Sequence, residues 1–146
     1  KKCQETGVDG IIIPDCPYEE SKEVSDICYK YDVDLISMIA PTSKERTLEI
    51  AAQAKGFIYL VSSMGVTGMR SNIVTDIEGI VESIKTVTDT PVAVGFGINS
   101  PAQVKHFGNI ADGVIVGSAI VNLIKEHGDR AHQPLFNYIQ TLIKEL

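Results

Sequence analysis

Pro91-Val92-Ala93-Val94-Gly95-Phe96-Gly97 and Ala111-Asp112-Gly113-Val114-Ile115-Val116-Gly117-Ser118 decide how this chain folds. Each is a short apolar run, rich in branched residues, that ends on glycine. The segment between them has room for one short helix, so two neighbouring parallel strands are predicted with their C-terminal ends side by side. Gly95-Phe96-Gly97 and Gly117-Ser118 then mark two turns at one end of a sheet, the second opening a helix. Glycine lets the backbone come close to an anion, and the N–H groups of a helix's first turn, at the positive end of its dipole, supply the attraction. Gly97, Gly117 and Ser118 therefore read as a phosphate cradle. The bland alternative is that these glycines only make tight turns.

Working outward, similar apolar runs occupy Gly10 to Pro14, Asp34 to Ala40 and Gly56 to Val61. None alternates with polar residues, so all five runs read as parallel strands buried on both faces. Segments of helical period lie between and after them. Val24, Ile27, Cys28 and Tyr31 are spaced at i, i+3, i+4 and i+7, as are Ile77, Ile80, Val81 and Ile84, and again Leu135, Tyr138, Ile139 and Leu142. The letters also repeat: Val8-Asp9-Gly10-Ile11-Ile12-Ile13 is echoed by Ala111-Asp112-Gly113-Val114-Ile115-Val116. An internal βα repeat favours a barrel over a doubly wound sheet, although periodicity does not by itself show closure.

The interval after Val61 is the long one. Ser62-Ser63-Met64-Gly65-Val66-Thr67-Gly68-Met69-Arg70-Ser71-Asn72 follows directly on a strand end, where barrel active sites are built. A loop of that length and composition at that position reads as a lid with glycine hinges.

The bulk numbers narrow the function. A chain of 146 residues that is 44% hydrophobic and 22% charged has the composition of one ordinary domain with a sizeable core. A net charge of −6 and a pI near 5.0 argue against nucleic acid and against an anionic membrane surface as partners. No apolar run approaches the roughly 20 residues that span a bilayer. Lys1-Lys2 leads into Cys-Gln-Glu-Thr rather than an apolar signal core, so a cytoplasmic location is expected. Cys3, Cys16 and Cys28 lack the close pairing of zinc ligands and read as free thiols, with no metal site expected. His106, His127 and His132 have no converging partners and read as surface residues. The opening at Lys1, in what reads as the last turn of a helix closed by Gly7, predicts that a segment precedes it.

Several motifs in register resemble one family. Gly7-Val8-Asp9-Gly10, Pro14-Asp15-Cys16-Pro17-Tyr18-Glu19-Glu20-Ser21, Tyr59-Leu60-Val61-Ser62 running into Gly65-Val66-Thr67-Gly68, Gly95-Phe96-Gly97-Ile98 and Gly117-Ser118-Ala119-Ile120-Val121 occur in the order seen in tryptophan synthase alpha chains. The resemblance runs from Cys3 to the final helix. It implies an α/β fold, a (βα)8 TIM barrel, of which residues 1–146 would be the C-terminal part of a single domain. They would form a partial barrel of about five βα units, strands four to eight of the family, with the N-terminal part upstream.

The activity implied is lyase chemistry in tryptophan biosynthesis, the retro-aldol cleavage of indole-3-glycerol phosphate to indole and glyceraldehyde 3-phosphate. No cofactor is implied for this chain, pyridoxal phosphate belonging to a beta-chain partner in an α2β2 complex. Carried over by residue, Gly68, Gly97, Gly117 and Ser118 match phosphate-binding positions. Ile12, Met38, Tyr59, Phe96 and Ile115 match the indole pocket, with plain barrel core as the competing reading for Ile12 and Ile115. Gly65, Thr67 and Gly68 match the lid, where the threonine meets a catalytic aspartate on closure. Asp15 matches a supporting or partner-facing position, and Asp15 to Tyr18 a contact with the beta chain. The family's catalytic glutamate and aspartate would lie upstream of Lys1, so no catalytic residue is assigned here and the isolated chain is expected to be inactive. Glu19 and Glu20 read instead as acids opening a helix, favoured by its dipole.

Two other readings stay open. One is a different phosphate-binding barrel enzyme of the tryptophan or histidine pathways. The other is a non-catalytic half-barrel that binds or assembles, with strand edges and an apolar face that favour self-association.

Overall fold

The computed structural model describes residues 1–62 and 76–146. Strand and helix alternate. Helix α1 (Lys2–Thr6) leads to β1 (Gly10–Ile11), and a 3₁₀ turn at Tyr18–Glu20 runs into α2 (Ser21–Lys30). Then come β2 (Asp34–Leu35), β3 (Ser37–Ile39), α3 (Lys44–Gln53), β4 (Ile58–Val61), α4 (Ile77–Lys85), β5 (Val92–Gly95), α5 (Pro101–Gly108), β6 (Gly113–Val114), α6 (Ser118–His127) and α7 (His132–Ile143). Every pairing is parallel, in the orders β1-β2 and β3-β4-β5-β6.

The predicted strand Asp34 to Ala40 is one extended segment that changes partners. Its first half pairs back to β1, where the Ile36 N–H donates to the Ile11 carbonyl at 2.9 Å, and its second half pairs forward to β4 with Ser37 opposite Ile58. Using one edge early and the other late staggers the sheet, as a closing barrel requires.

The strands are buried on one face only, which corrects the expectation of burial on both. Ile58 and Leu60 are fully buried while Tyr59 and Val61, which alternate with them, are half-buried, and Val92 and Val94 are buried around a half-buried Ala93. The buried set packs on the helices through Ile77, Val81 and Ile84 of α4, Val104 and Phe107 of α5 and Leu142 of α7. Each such side chain contributes roughly 1.5–3 kcal/mol. Among the described residues nothing covers the other face. The helical periods hold for α4 but only in part elsewhere: Ile27 of α2 is 62% exposed, and Ile139 of α7 also faces outward.

Local signals set the helix ends. Gly7, at φ 72°, closes α1 as predicted, with the Val8 N–H returning to the Cys3 carbonyl at 2.9 Å. Ser43, Asp76 and Ser100 accept from the backbone N–H three residues on, and Gln103 completes a capping box with Ser100. Cys3, Cys16 and Cys28 are free thiols. No described helix is long and apolar enough to cross a membrane.

The N-terminal ends of the strands carry a lock. Asp112, just before β6, accepts from the Val92 N–H at 2.7 Å and from Lys85 Nζ at 2.6 Å, joining β5, β6 and the end of α4. The Lys85 hydrogen bond first, and the Val92 N–H second, hold the Asp112 carboxyl below the usual range. A depressed folded-state pKa means that this stabilisation is present above the unfolded carboxyl's pKa, about 3.9, and is lost as pH falls below it. The partly exposed ion pair is worth at most about 1 kcal/mol and the N–H bond a similar amount. Asp112→Ala should therefore cost about 1–2 kcal/mol in chemical denaturation at pH 7, and Asp112→Asn, which keeps an acceptor for Val92, less than half of that. The gap between wild type and Asp112→Ala should narrow as pH is lowered below 4. Equal losses for both substitutions would show that the Val92 bond contributes nothing.

Candidate functional site

Of the predicted residues within the described chain, Phe96 and Gly97 follow β5, Ile115, Gly117 and Ser118 follow β6, Tyr59 lies in β4, Met38 in β3 and Ile12 just past β1. Met38, Tyr59, Ala93 and Gly113 are successive register partners across the sheet. Ile115 continues the last ladder, its N–H donating to the Val94 carbonyl at 2.8 Å. Met38, Tyr59 and Ile115 alternate with Ile39, Leu60 and Val114, which pack into the core, so they occupy the opposite, helix-free face. Ile12, just past β1, is 41% exposed in this chain. These residues form an apolar wall.

Gly95 has a different task from the one its motif suggests. A Cβ there would lie 2.5 Å from Tyr59 Oη and 2.7 Å from Tyr59 Cζ, so the tyrosine ring lies across the glycine. The turn beyond is strained. Phe96 adopts φ 84° and Gly97 φ 80°, two successive residues in a region that disfavours side chains, and Phe96 is 52% exposed. Ser62, fully buried at the end of β4, holds this turn twice: its N–H donates to the Gly95 carbonyl at 2.8 Å and its Oγ to the Phe96 carbonyl at 2.7 Å. Ser62 carried no assignment in the sequence beyond its place in a motif. A polar residue closing an apolar run was the only signal.

Gly117 lies on the neighbouring strand end. It precedes α6 with no side-chain cap, unlike Ser43, Asp76 and Ser100, and a Cβ there would meet nothing within 4 Å. Gly97, Gly117 and Ser118 are all exposed. Neither Gly95 to Ile98 nor Gly117 to Val121 contains Lys or Arg, so an anion bound here would be held by backbone N–H groups and the Ser118 hydroxyl. Gly65, Thr67 and Gly68 lie outside the described residues.

Glu19 lies in the first turn of the 3₁₀ segment that opens α2, as predicted, and also has a partner that the sequence does not show. Its carboxylate takes a bidentate ion pair from Arg46 of α3, at 2.6 and 2.9 Å, and the Arg46 hydrogen bond holds its pKa down to about 2. Beside it Gln53 Nε2 donates to Tyr18 Oη at 2.6 Å, so the loop after β1 is fastened to α3. Behind this fastening a cleft of about 760 Å³ separates α2 from α3. Of the predicted site residues, Met38 lines it. No group of three His, Cys, Asp or Glu among the described residues could hold a metal.

The family model of the tryptophan synthase alpha chain matches residues 1–145. The chain belongs to the tryptophan synthase alpha-chain family. It is 47% identical over 131 residues to the alpha chain of Lacticaseibacillus casei, covering 90% of this chain and 49% of that one. Over 128 residues it is 52% identical to the alpha chain of Lactiplantibacillus plantarum, covering 87% and 48%. Among solved structures it superposes on a chain from the tryptophan synthase α2β2 complex of Pyrococcus furiosus with a TM-score of 0.83 at 34% identity, covering 98% of this chain and 58% of that one. The Campylobacter jejuni alpha subunit gives 0.77 at 35% identity, covering 99% and 54%. The chain thus spans about half the length of the curated relatives it matches. Its parallel strands and outer helices are a partial TIM barrel of the tryptophan synthase alpha type.

The geometry separates three glycines that the sequence treats alike. Gly95→Ala should cost about 1–3 kcal/mol by overpacking against Tyr59, and almost nothing in a Tyr59→Ala background. Gly97→Ala should cost about 1–2 kcal/mol through its left-handed backbone, while Gly117→Ala, at φ −113° in open space, should fall within about 0.5 kcal/mol of wild type. Thermal and denaturant unfolding of the four variants test that order. A loss at Gly117→Ala matching that at Gly97→Ala would overturn it.

Proposed function

We propose that this chain supplies the phosphate-holding end and one wall of the indole pocket of a site that cleaves indole-3-glycerol phosphate to indole and glyceraldehyde 3-phosphate. The observation that carries the reading is the pair of exposed glycine turns past the ends of the paired strands β5 and β6, one of them at a helix start with no side-chain cap, on a sheet whose helix-free face carries Met38, Tyr59 and Ile115. That combination suits a ligand with an anionic tail and a flat apolar head.

In this reading the phosphate takes hydrogen bonds from the N–H groups of Gly97, Gly117 and Ser118 and from the Ser118 hydroxyl, with Gly68 closing from the lid. The indole lies against Tyr59 and Phe96, flanked by Ile12, Met38 and Ile115. Holding both ends fixes the carbon–carbon bond between them. Cleavage needs one proton delivered to the ring carbon and one removed from the substrate, and each such group is worth roughly a hundred- to ten-thousand-fold. The reading assigns that acid and base to the part of the family's length that this chain does not span, so residues 1–146 alone would be inactive as the C-terminal part of one barrel domain. Thr67, with Gly65 and Gly68, belongs to the lid that excludes water. No cofactor is needed for this cleavage. A pyridoxal-phosphate-dependent beta chain would take the indole, meeting this chain around Asp15 to Tyr18.

The test is an amide-resolved titration of the chain with indole-3-glycerol phosphate. Gly97, Gly117 and Ser118 should respond together, and Gly117→Val, whose side chain enters the open space, should weaken binding roughly tenfold or more, the worth of one charge-assisted hydrogen bond. Unchanged affinity in Gly117→Val would remove that turn from the site. In a chain carrying the family's full length, Thr67→Val should lower the rate of indole release, and an unaltered rate would take the threonine out of closure.

A further inference from the structure

We infer that Ser62 is a positioning residue, the group that holds the Phe96-Gly97 turn in its ligand-binding shape; the inference rests on the phosphate reading above. Phe96 at φ 84° is the observation that demands a cause. A bulky residue leaves that region unless its surroundings fix it, and the glycine that follows adds freedom rather than restraint. Sequence position alone would let this turn relax.

Two bonds from one residue prevent it. The Ser62 N–H to the Gly95 carbonyl, at 2.8 Å, extends the β4–β5 ladder one step past Val61 opposite Gly95. The Ser62 hydroxyl to the Phe96 carbonyl, at 2.7 Å, then fixes the peptide unit between Phe96 and Gly97. That peptide unit contains the Phe96 carbonyl on one side and the Gly97 N–H on the other. Because the unit is planar, holding the oxygen aims the N–H. Ser62 is fully buried, so no water competes for the hydroxyl, and a carbonyl deprived of it would be left without that partner. Gly95 completes the arrangement by leaving room for Tyr59, which keeps β5 close to β4 at this level.

The prediction is specific to one amide. With glyceraldehyde 3-phosphate as the probe, Ser62→Ala should weaken binding about tenfold. At saturating probe it should shrink the ligand-induced shift of the Gly97 amide while that of Ser118, on the other strand, is kept. Ser62→Thr, which retains the hydroxyl, should recover both to within about threefold of wild type. If Ser62→Ala fails to fold, Ser62→Cys carries the test, since it preserves size but donates weakly, and it should fall between alanine and threonine. A folded Ser62→Ala or Ser62→Cys protein that binds the probe as tightly as wild type, with an unaltered Gly97 shift, overturns the inference alone. Absence of probe binding by the wild type removes the phosphate reading, and this inference falls with it.

Discussion

The parallel pairing of β4 with β5, packed on one side against α4 and α5, is the constraint on which the rest depends. Ile58, Leu60, Val92 and Val94 have no exposure at all, and their burial sets which side chains turn the other way. A one-residue slip would carry Tyr59 into the core and leave Ile58 and Leu60 on the open face. It would also separate Tyr59 from Gly95 and Ser62 from Phe96. The core therefore acts on the site through register. Apolar packing on the helix side decides what lies opposite what on the helix-free side.

The two ends of the strands are built from different forces. At the N-terminal end Asp112 ties three elements with a carboxylate, and its neighbour Lys85 supplies a full charge. Past the C-terminal ends of β5 and β6 the contacts are backbone amides, one buried hydroxyl and glycines, and the two turns carry no cationic side chain of their own. This division suits a chain of net charge −6. An anion placed at these turns would meet local dipoles acting over short distances, where the field of the whole molecule counts for little.

Much of the fold was legible in the letters. The five apolar runs are where the strands lie, Gly7 closes a helix, and Gly97 and Gly117 stand at adjacent strand ends. What the letters concealed was relational. Burial of a strand on one face or two depends on what covers it, so the unbroken apolar run Gly56 to Val61 could not reveal that Tyr59 faces away from the helices. Ile27 fits the period of α2 and still points outward, because period describes a helix's own geometry and not its neighbours. Glu19 is the helix-opening acid that its letters suggest, but its partner Arg46 is distant in sequence and only the fold brings the two together. Ser62 was one serine among several at the start of a loop; only the carbonyl of Phe96, brought close by the β4–β5 pairing, gives it a distinct task. The candidate site was therefore readable as a list of residues, while the bonds that shape it were not.

The contact between Tyr59 and Gly95 bears on how this sequence can change over time. An aromatic ring at one position penalises any side chain at the other, so the two sites are not free to drift independently. Gaining a methyl group at 95 costs least in a lineage that has already reduced the residue at 59, and returning to the larger ring then costs least once the glycine is restored. The order of substitutions is constrained as well as their identity. One van der Waals clash thereby becomes a memory of ancestry, carried by two positions that look unrelated in the linear chain.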